Sequence, residues 1–147
     1  MSKRYVVFQV GEGQYAVPIK DVSQIVRYEN VTEVPTAPPF VDGVINVGGE
    51  VIPVVNLRSR FSLPGIEIAR KNRVIIVRKE ERSFGLLVDE VREMVDLDED
   101  SIAPEAASVF GMKPDFVLGI ARIGESLLVL LDVFKVLATS AEVSAKE

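Results

Sequence analysis

Three residue types are missing from this sequence of 147 residues: it has no cysteine, no histidine and no tryptophan. Without cysteine there is no disulfide, no thiolate zinc site and no cysteine nucleophile. Without histidine the chain lacks the most frequent general base and the usual metal ligand, and it cannot carry a phosphohistidine. A serine nucleophile would also lack its histidine base. A mechanism based on paired carboxylates is not excluded by composition, but the acidic residues cluster in turns and exposed segments, where their pKa values should shift little. We therefore expect no enzyme, no metal site and no cofactor.

Long hydrophobic runs are missing as well. The longest apolar run, Leu127 to Leu131, is far shorter than the ~20 residues that a membrane-spanning helix needs. No signal peptide is visible, because strand-like sequence follows the first residues almost at once. These features predict a cytoplasmic protein without direct membrane insertion.

The charge balance is acidic, with a net charge of -5. Binding of nucleic acid as the main partner is disfavoured, because phosphates require a concentrated basic surface. A hydrophobic content of 48% with 27% charged residues is typical of an ordered globular protein. This length and composition predict one domain, or two small lobes sharing a core.

An internal repeat is the most informative feature that is present. Residues 4–26 align with residues 73–95 at an offset of 69, and residues 43–56 align with residues 119–132 at an offset of 76. Within the second match, Asn56 aligns with Asp132. The larger offset predicts a longer middle loop in the second copy. Two copies of one lobe imply two similar surfaces, as in a connector protein rather than an enzyme with a single pocket.

Each copy contains about five short apolar strands joined by turns, with no alternation of strands and helices. This pattern predicts an all-β protein made of two small barrels, with lobe one at about residues 4–66 and lobe two at about residues 67–131. Asp132 is the predicted N-cap of a short C-terminal helix over residues 132–138. A frayed tail is expected over residues 139–147.

An acidic run resembles a calcium-binding loop at first sight. Asp96, Asp98 and Asp100 match the first three ligand positions of an EF-hand. However, the sixth position, which requires glycine, is Ser101, and the twelfth, which requires glutamate, is Ala107. A solvated run of charges is the preferred interpretation.

Four apolar positions recur in both copies and allow two interpretations. Val22 and Ile25 in the first copy correspond to Val91 and Met94 in the second. They could belong to the core of a barrel or between lobes, or some could line a groove that accepts an amphipathic partner helix. The two interpretations can hold for neighbouring residues.

The sequence resembles the CheW family of chemotaxis coupling proteins over about residues 4–138. The resemblance is carried by Pro35 to Arg58, by Phe84 to Val91 and by Gly119 to Asp132. The opening Tyr5-Val-Val-Phe with Tyr15-Ala-Val-Pro-Ile also fits. The same motifs would suit the regulatory domain of the kinase CheA. Because that domain ends a longer chain and here stands alone, we expect a free coupling protein.

The resemblance implies two SH3-like five-stranded barrels around a shared hydrophobic core. It also implies a non-catalytic adaptor that couples the cytoplasmic tips of chemoreceptors to the histidine kinase CheA in receptor arrays. Receptor contact in the family lies in the groove between lobes. Carried onto this sequence, the receptor-binding residues are Val22, Gln24, Asn46, Gly48, Val74, Val91 and Met94, and the kinase-binding residues are Ala103 and Ser108.

One departure from the family pattern concerns charge. The family usually has Asn-Leu-Arg-Gly where this chain has Asn46-Val-Gly48-Gly, and it often has glutamate where this chain has Gln24. Loss of a guanidinium removes five donors and a fixed charge. The alternatives are therefore a diverged scaffold of a non-flagellar array, such as a pilus array, or a tandem-barrel peptide-binding module unrelated to chemoreceptors.

Overall fold

The computed structural model describes residues 2–103, 117–133 and 135–136. This part of the chain is built mainly from β-strands and has a short helix, α1, over Leu57–Arg60. The strands are β1 Ser2–Val10, β2 Gly13–Pro18, β3 Val22–Arg27, β4 Val41–Val47, β5 Glu50–Asn56, β6 Arg73–Lys79, β7 Arg82–Val88, β8 Glu90–Asp98, β9 Ile102–Ala103, β10 Val117–Ile123 and β11 Ser126–Leu131. Single 3-10 turns cover Ile19–Asp21 and Glu99–Ser101.

The strands form two sheets in two compact units. The first unit comprises Met1–Lys20 and Arg92–Glu147, and it holds the six-stranded sheet β8-β1-β2-β11-β10-β9 apart from the first two residues of β8. The second unit comprises Asp21–Val91 and holds the five-stranded sheet β3-β6-β7-β5-β4. The all-β class expected from the sequence is therefore confirmed.

The units do not coincide with the two sequence copies, and this corrects the expected lobe limits of residues 4–66 and 67–131. Each sheet takes one hairpin from each copy. Strand β2 of the first copy pairs in parallel with β11 of the second, and β5 of the first pairs in parallel with β7 of the second. Parallel neighbours cannot be joined by a tight hairpin turn, so each of these pairs joins two different hairpins. The two hairpins come from different copies, so each sheet is shared between the copies.

The exchange is the same in both units. The pair Ala16 and Leu130 in the first unit corresponds, at the two repeat offsets, to the pair Gly85 and Val54 in the second. A register shift also occurs at equivalent places, between Val41 and Gly43 in β4 and between residues 117 and 119 in β10. The two copies therefore also share the position of a β-bulge.

In each unit a short segment pairs with the outer edge of β4 or β10, which brings the sheet closer to a closed barrel. In the second unit, Thr32 and Val44 exchange two backbone hydrogen bonds of 2.8 Å. In the first unit, Ala103 of β9 pairs with Ile120 of β10, and Ile120 is the repeat equivalent of Val44. Closure removes exposed strand edges, which otherwise invite association.

Each unit has a buried apolar cluster formed by alternate residues of its strands. Burial of such a side chain contributes about 1.5–3 kcal/mol. The cluster of the first unit is Tyr5, Val7, Ala16, Leu97, Ala121, Leu128 and Leu130. The cluster of the second unit is Ile45, Ile52, Val54, Val74, Ile76 and Leu87.

Repeat-related residues cap the two helical turns. The Asn56 side chain accepts hydrogen bonds from the backbone N–H groups of Arg58 and Ser59, which starts α1. The Asp132 carboxylate accepts from the N–H of Lys135 at 3.2 Å, as predicted for an N-cap. Most of the predicted helix over residues 132–138 and the whole tail over residues 139–147 lie outside the described residues. Within those that are described, no helix is both long enough and apolar enough to span a membrane.

Candidate partner-binding surfaces

Val22 and Gln24 lie on β3, which is an outer strand of the five-stranded sheet. The preceding 3-10 turn, Ile19–Asp21, leads directly into this strand. The pairing register shifts between Val22 and Gln24, so the strand bends there. Val22 is half-buried, whereas Gln24 is exposed. Both positions can reach a partner.

Val74 does not belong to this surface, which corrects its assignment as a receptor-binding residue. It lies on β6 opposite Val26, and its side chain is 0% exposed in the core of the second unit. Its burial follows from its place on the face of β6 that packs into this cluster, which it shares with Ile76. Val74 therefore contributes to packing.

Asn46 and Gly48 lie at the tip of the β4–β5 hairpin. Gly48 and Gly49 both have positive φ, 59° and 88°, as the central residues of a type I′ turn require. The Asn46 side-chain oxygen accepts a hydrogen bond of 3.0 Å from the Gly49 N–H, which fixes the turn. A Cβ at either glycine would meet no atom within 4 Å. The tip is therefore a fixed turn of bare, open backbone.

Val51 extends this surface and was missed by the sequence reasoning. It pairs with Asn46 across the hairpin and is 63% exposed. Its neighbour Ile52 is buried. The signal was present in the sequence, because alternate residues of a strand point to opposite faces and Val51 is out of phase with the buried Ile52 and Val54.

Val91 and Met94 lie on β8 but belong to different units. Val91 is half-buried in the second unit, and Met94 of the first unit is 57% exposed. A flexible thioether side chain is well suited to an adaptable contact surface. Both residues remain candidates for partner contact.

Of the two residues predicted to bind the kinase, the structure describes one. Ala103 is half-buried on the two-residue strand β9, where it pairs with Ile120. Ser108 lies outside the described residues. The longer middle loop expected in the second copy begins after Asp98, where β8 ends.

Acidic residues of β8 and of the 3-10 turn that follows it are paired with basic residues of the neighbouring strand β1. The Asp96 carboxylate accepts a hydrogen bond of 3.0 Å from Arg4, and Glu99 lies 3.9 Å from Lys3. Hydrogen bonding to Asp96 raises the pKa of Arg4. In the part of the chain that the structure describes, no group of three or more acidic side chains could hold a metal ion.

A polar network ties the β4–β5 hairpin to the chain that precedes it. The Tyr28 hydroxyl donates to the Asp42 carboxylate at 3.0 Å, and the Asn56 amide donates to the same carboxylate at 3.2 Å. Burial raises the pKa of Tyr28 to about 12, and the negative charge of Asp42 and its hydrogen bond act in the same direction. Sequence reasoning did not find this network, although the alignment of Asn56 with Asp132 marked one member.

A second network joins α1 to the start of β8. Arg58 donates two hydrogen bonds to the Asp89 carboxylate, at 2.9 and 2.6 Å, and these bonds raise the pKa of Arg58. The Asn72 amide donates to the Asp89 backbone carbonyl at 2.8 Å. The adjoining cavity, of about 20 Å³, has room for about one water molecule. It is a packing feature rather than a substrate pocket.

Comparisons with known proteins agree with this architecture. A family model described as "CheW-like domain" matches residues 4–141. The chain is 33% identical to chemotaxis protein CheW of Bacillus subtilis, with 98% of this chain and 92% of that protein covered. It is 27% identical to chemotaxis protein CheW of Klebsiella aerogenes, with 95% and 84% covered.

A solved structure matches as well. The crystal structure of scaffolding protein TtCheW from Thermoanaerobacter tengcongensis superposes with a TM-score of 0.82 at 34% identity, covering 90% of this chain and 86% of that chain. The fold thus defines an all-β protein built from two sheets. The chain belongs to the CheW family, as the resemblance in its motifs predicted. Its matched relatives are named as chemotaxis and scaffolding proteins.

Proposed function

We propose that this protein is a non-catalytic adaptor that couples the cytoplasmic tips of chemoreceptors to the histidine kinase CheA. The observation that carries the proposal is the match to the CheW-like family model over residues 4–141. The protein would act in the cytoplasm, beside arrays of membrane receptors. Its function would be to hold partners together and to set the activity of the kinase.

The receptor contact is proposed to use the tip of the β4–β5 hairpin together with β3. Asn46, Gly48, Val22 and Gln24 remain from the predicted set, and Val51 is added because it is highly exposed. None of these residues carries a charge. Recognition would therefore depend on burial of apolar surface and close backbone approach, as when an amphipathic helix packs against a groove.

The bare turn supports a close approach of this kind. Since Gly48 and Gly49 have no side chains and face open space, a helix can pack directly on their backbone. Asn46 holds the turn in place beforehand, so little conformational entropy is lost on binding. Shape complementarity at the turn would thus replace the charge interaction of the arginine that the family usually has at this position.

Val91 and Met94 on β8 are proposed as further receptor contacts. Val91 is half-buried and Met94 is exposed, so each offers apolar surface to a helix. The kinase contact is proposed at Ala103 and Ser108. Such small interfaces are weak individually but strengthen one another when many are linked in an array.

The proposal is tested by kinase autophosphorylation with receptor fragments and CheA from the same organism, with and without this protein. We expect phosphate incorporation to rise only when receptor, kinase and this protein are all present. Binding to CheA without activation would instead identify a diverged scaffold that competes for the same sites. Absence of binding to both partners would overturn the proposal and favour a peptide-binding module unrelated to chemoreceptors.

A further inference from the structure

The linker between α1 and β6 contains a short stretch with an open backbone. The N–H and C=O groups of residues 65–68 form no hydrogen bond within the part of the chain that the structure describes. All four residues are exposed. Buried backbone groups are almost always paired within the protein, whereas exposed groups such as these are left to water and are accessible to a partner. This stretch therefore offers donors and acceptors that a partner strand can pair with.

Both ends of the stretch are held by side chains. Arg58 donates a hydrogen bond of 2.9 Å to the carbonyl of Pro64, just before the stretch. Asn72, which is almost completely buried, accepts one of 2.6 Å from the N–H of Ala69, just after it. Arg58 and Asn72 both bind Asp89. The open backbone is thus fixed at two points in advance, which lowers the entropic cost of binding.

Alternate side chains of the stretch differ in their surroundings. Ile66 and Ile68 line the small cavity together with Leu87 and Val88, whereas Glu67 between them does not. Residues two apart share a face when the backbone is extended. Ile66 and Ile68 are still 50% and 46% exposed, so each retains apolar surface for a partner.

A positive charge lies next to this apolar surface. Arg70 and Lys71 are exposed in the turn that follows the stretch. Neither forms an ion pair with another described residue. The open backbone, the two isoleucines and the basic end are therefore complementary to an extended segment that carries apolar and acidic residues.

We propose that Gly65 to Ile68 form a β-strand addition site for a partner protein. The occupant is an extended segment with apolar side chains at alternate positions and a carboxylate at the end that meets Arg70 and Lys71. Main-chain hydrogen bonds supply affinity in this mode of recognition, and the alternate side chains supply specificity. The inference depends on the linker alone and does not require the proposed adaptor function.

The test is NMR titration of the full chain with a blocked peptide, Val-Glu-Val-Asp-Asp. We expect saturable shift changes over residues 63–73 and at least tenfold slower amide hydrogen exchange at Gly65 and Glu67, whose N–H groups point to the same edge of an extended stretch. A matched peptide with lysine in place of each acid should bind at least fivefold more weakly. Shift changes elsewhere, unchanged exchange, or equal binding of the basic peptide would overturn the proposal.

Two variants of one exposed residue separate backbone pairing from side-chain contact. Glu67→Pro should bind the peptide at least fivefold more weakly than Glu67→Ala, because both variants lack the carboxylate and only the first lacks the backbone N–H. The spectrum of the remaining residues checks that both variants are folded. Equal binding by the two variants would contradict strand addition. A dimer that forms without peptide and is lost in Glu67→Pro would make a second copy the occupant, which also overturns the proposal.

Discussion

The backbone of Thr32 lies so close to Gly43 that a Cβ on Gly43 would be 2.1 Å from the Thr32 carbonyl oxygen. This approach permits the two hydrogen bonds between Thr32 and Val44 that bring the sheet of the second unit toward closure. Gly43 also has a φ of 154°, a value that residues with a side chain rarely adopt.

Gly43→Ala should therefore destabilise the protein severely, by at least about 3 kcal/mol in urea unfolding. The clash involves backbone on both sides, so side-chain rotation cannot relieve it. Gly48→Ala is the matched control, because its Cβ would meet open space and only the positive φ of 59° opposes it. That control should cost about 1–2 kcal/mol. Equal effects of the two variants would show that the approach of Thr32 is not what requires glycine.

The ion pair between Arg58 and Asp89 should be strongly coupled. The two side chains are only 18% and 14% exposed and share two hydrogen bonds, so removal of one partner leaves the other poorly solvated. We expect a coupling energy of about 1–3 kcal/mol in a double-mutant cycle of Arg58→Met and Asp89→Asn, measured by urea unfolding.

A second ion pair provides the comparison for that cycle. Arg78 and Glu50 lie 3.3 Å apart but are 48% and 43% exposed. Their coupling should be below about 1 kcal/mol, because water and salt screen exposed charges. A coupling for Arg58 and Asp89 as small as that of the exposed pair would contradict the structural role assigned to it.

Tyr28 should make the protein sensitive to alkaline pH. Burial, with help from Asp42, raises its pKa in the folded state to about 12, against about 10 in the unfolded chain. Because the folded pKa is the higher one, the contribution of Tyr28 is fully present below about pH 10 and is lost as the pH rises toward 12. The stability of Tyr28→Phe should therefore fall less steeply over this range. Parallel curves for the two proteins in urea unfolding at pH 8 to 12 would contradict this.

Substitutions at Val22 and Met94 should weaken partner binding, whereas a substitution at Val74 should disrupt folding. Met94→Asp and Val22→Asp should weaken receptor binding in co-sedimentation with receptor membranes while melting stays cooperative. Val74→Asp should abolish cooperative melting, because it buries an unpaired charge. Leu118→Asp is the control, since Leu118 is also exposed but lies outside the proposed contacts. Loss of cooperative melting in Met94→Asp would assign that residue to the core instead.

The repeat predicted most of the strands, and the local pattern predicted the cap at Asp132, but neither could predict how the strands pair. Equivalent positions are found by counting, whereas exchange of hairpins depends on long-range contacts that leave no local pattern. The misplacement of Val74 has a related cause. Residues 74–77 are all buried, so the alternation that separates an inner from an outer face is absent from the sequence.

Part of the candidate surface could be predicted from the sequence and part could not. The turn at Gly48 and Gly49 can be recognised in the sequence, because two adjacent glycines suit a type I′ hairpin. The networks around Asp42 and Asp89 could not be anticipated, since their members come from distant parts of the chain. Only the folded arrangement brings Arg58 to Asp89 and Asn56 to Asp42.

Gly48→Arg tests whether the bare turn is itself the recognition element. The guanidinium would extend into open space and so should not disrupt the fold beyond the cost of the positive φ, about 1–2 kcal/mol. It would, however, hold a packed helix away from the backbone of the turn. We expect receptor binding to weaken about tenfold, which corresponds to about 1.4 kcal/mol. Gly48→Ala carries the same backbone cost with a small side chain, so it should bind within about threefold of the parent protein, a difference below about 1 kcal/mol. Stronger receptor binding or stronger kinase activation by Gly48→Arg would mean that the receptor still presents a partner for that charge, and recognition by shape at this turn would then be wrong.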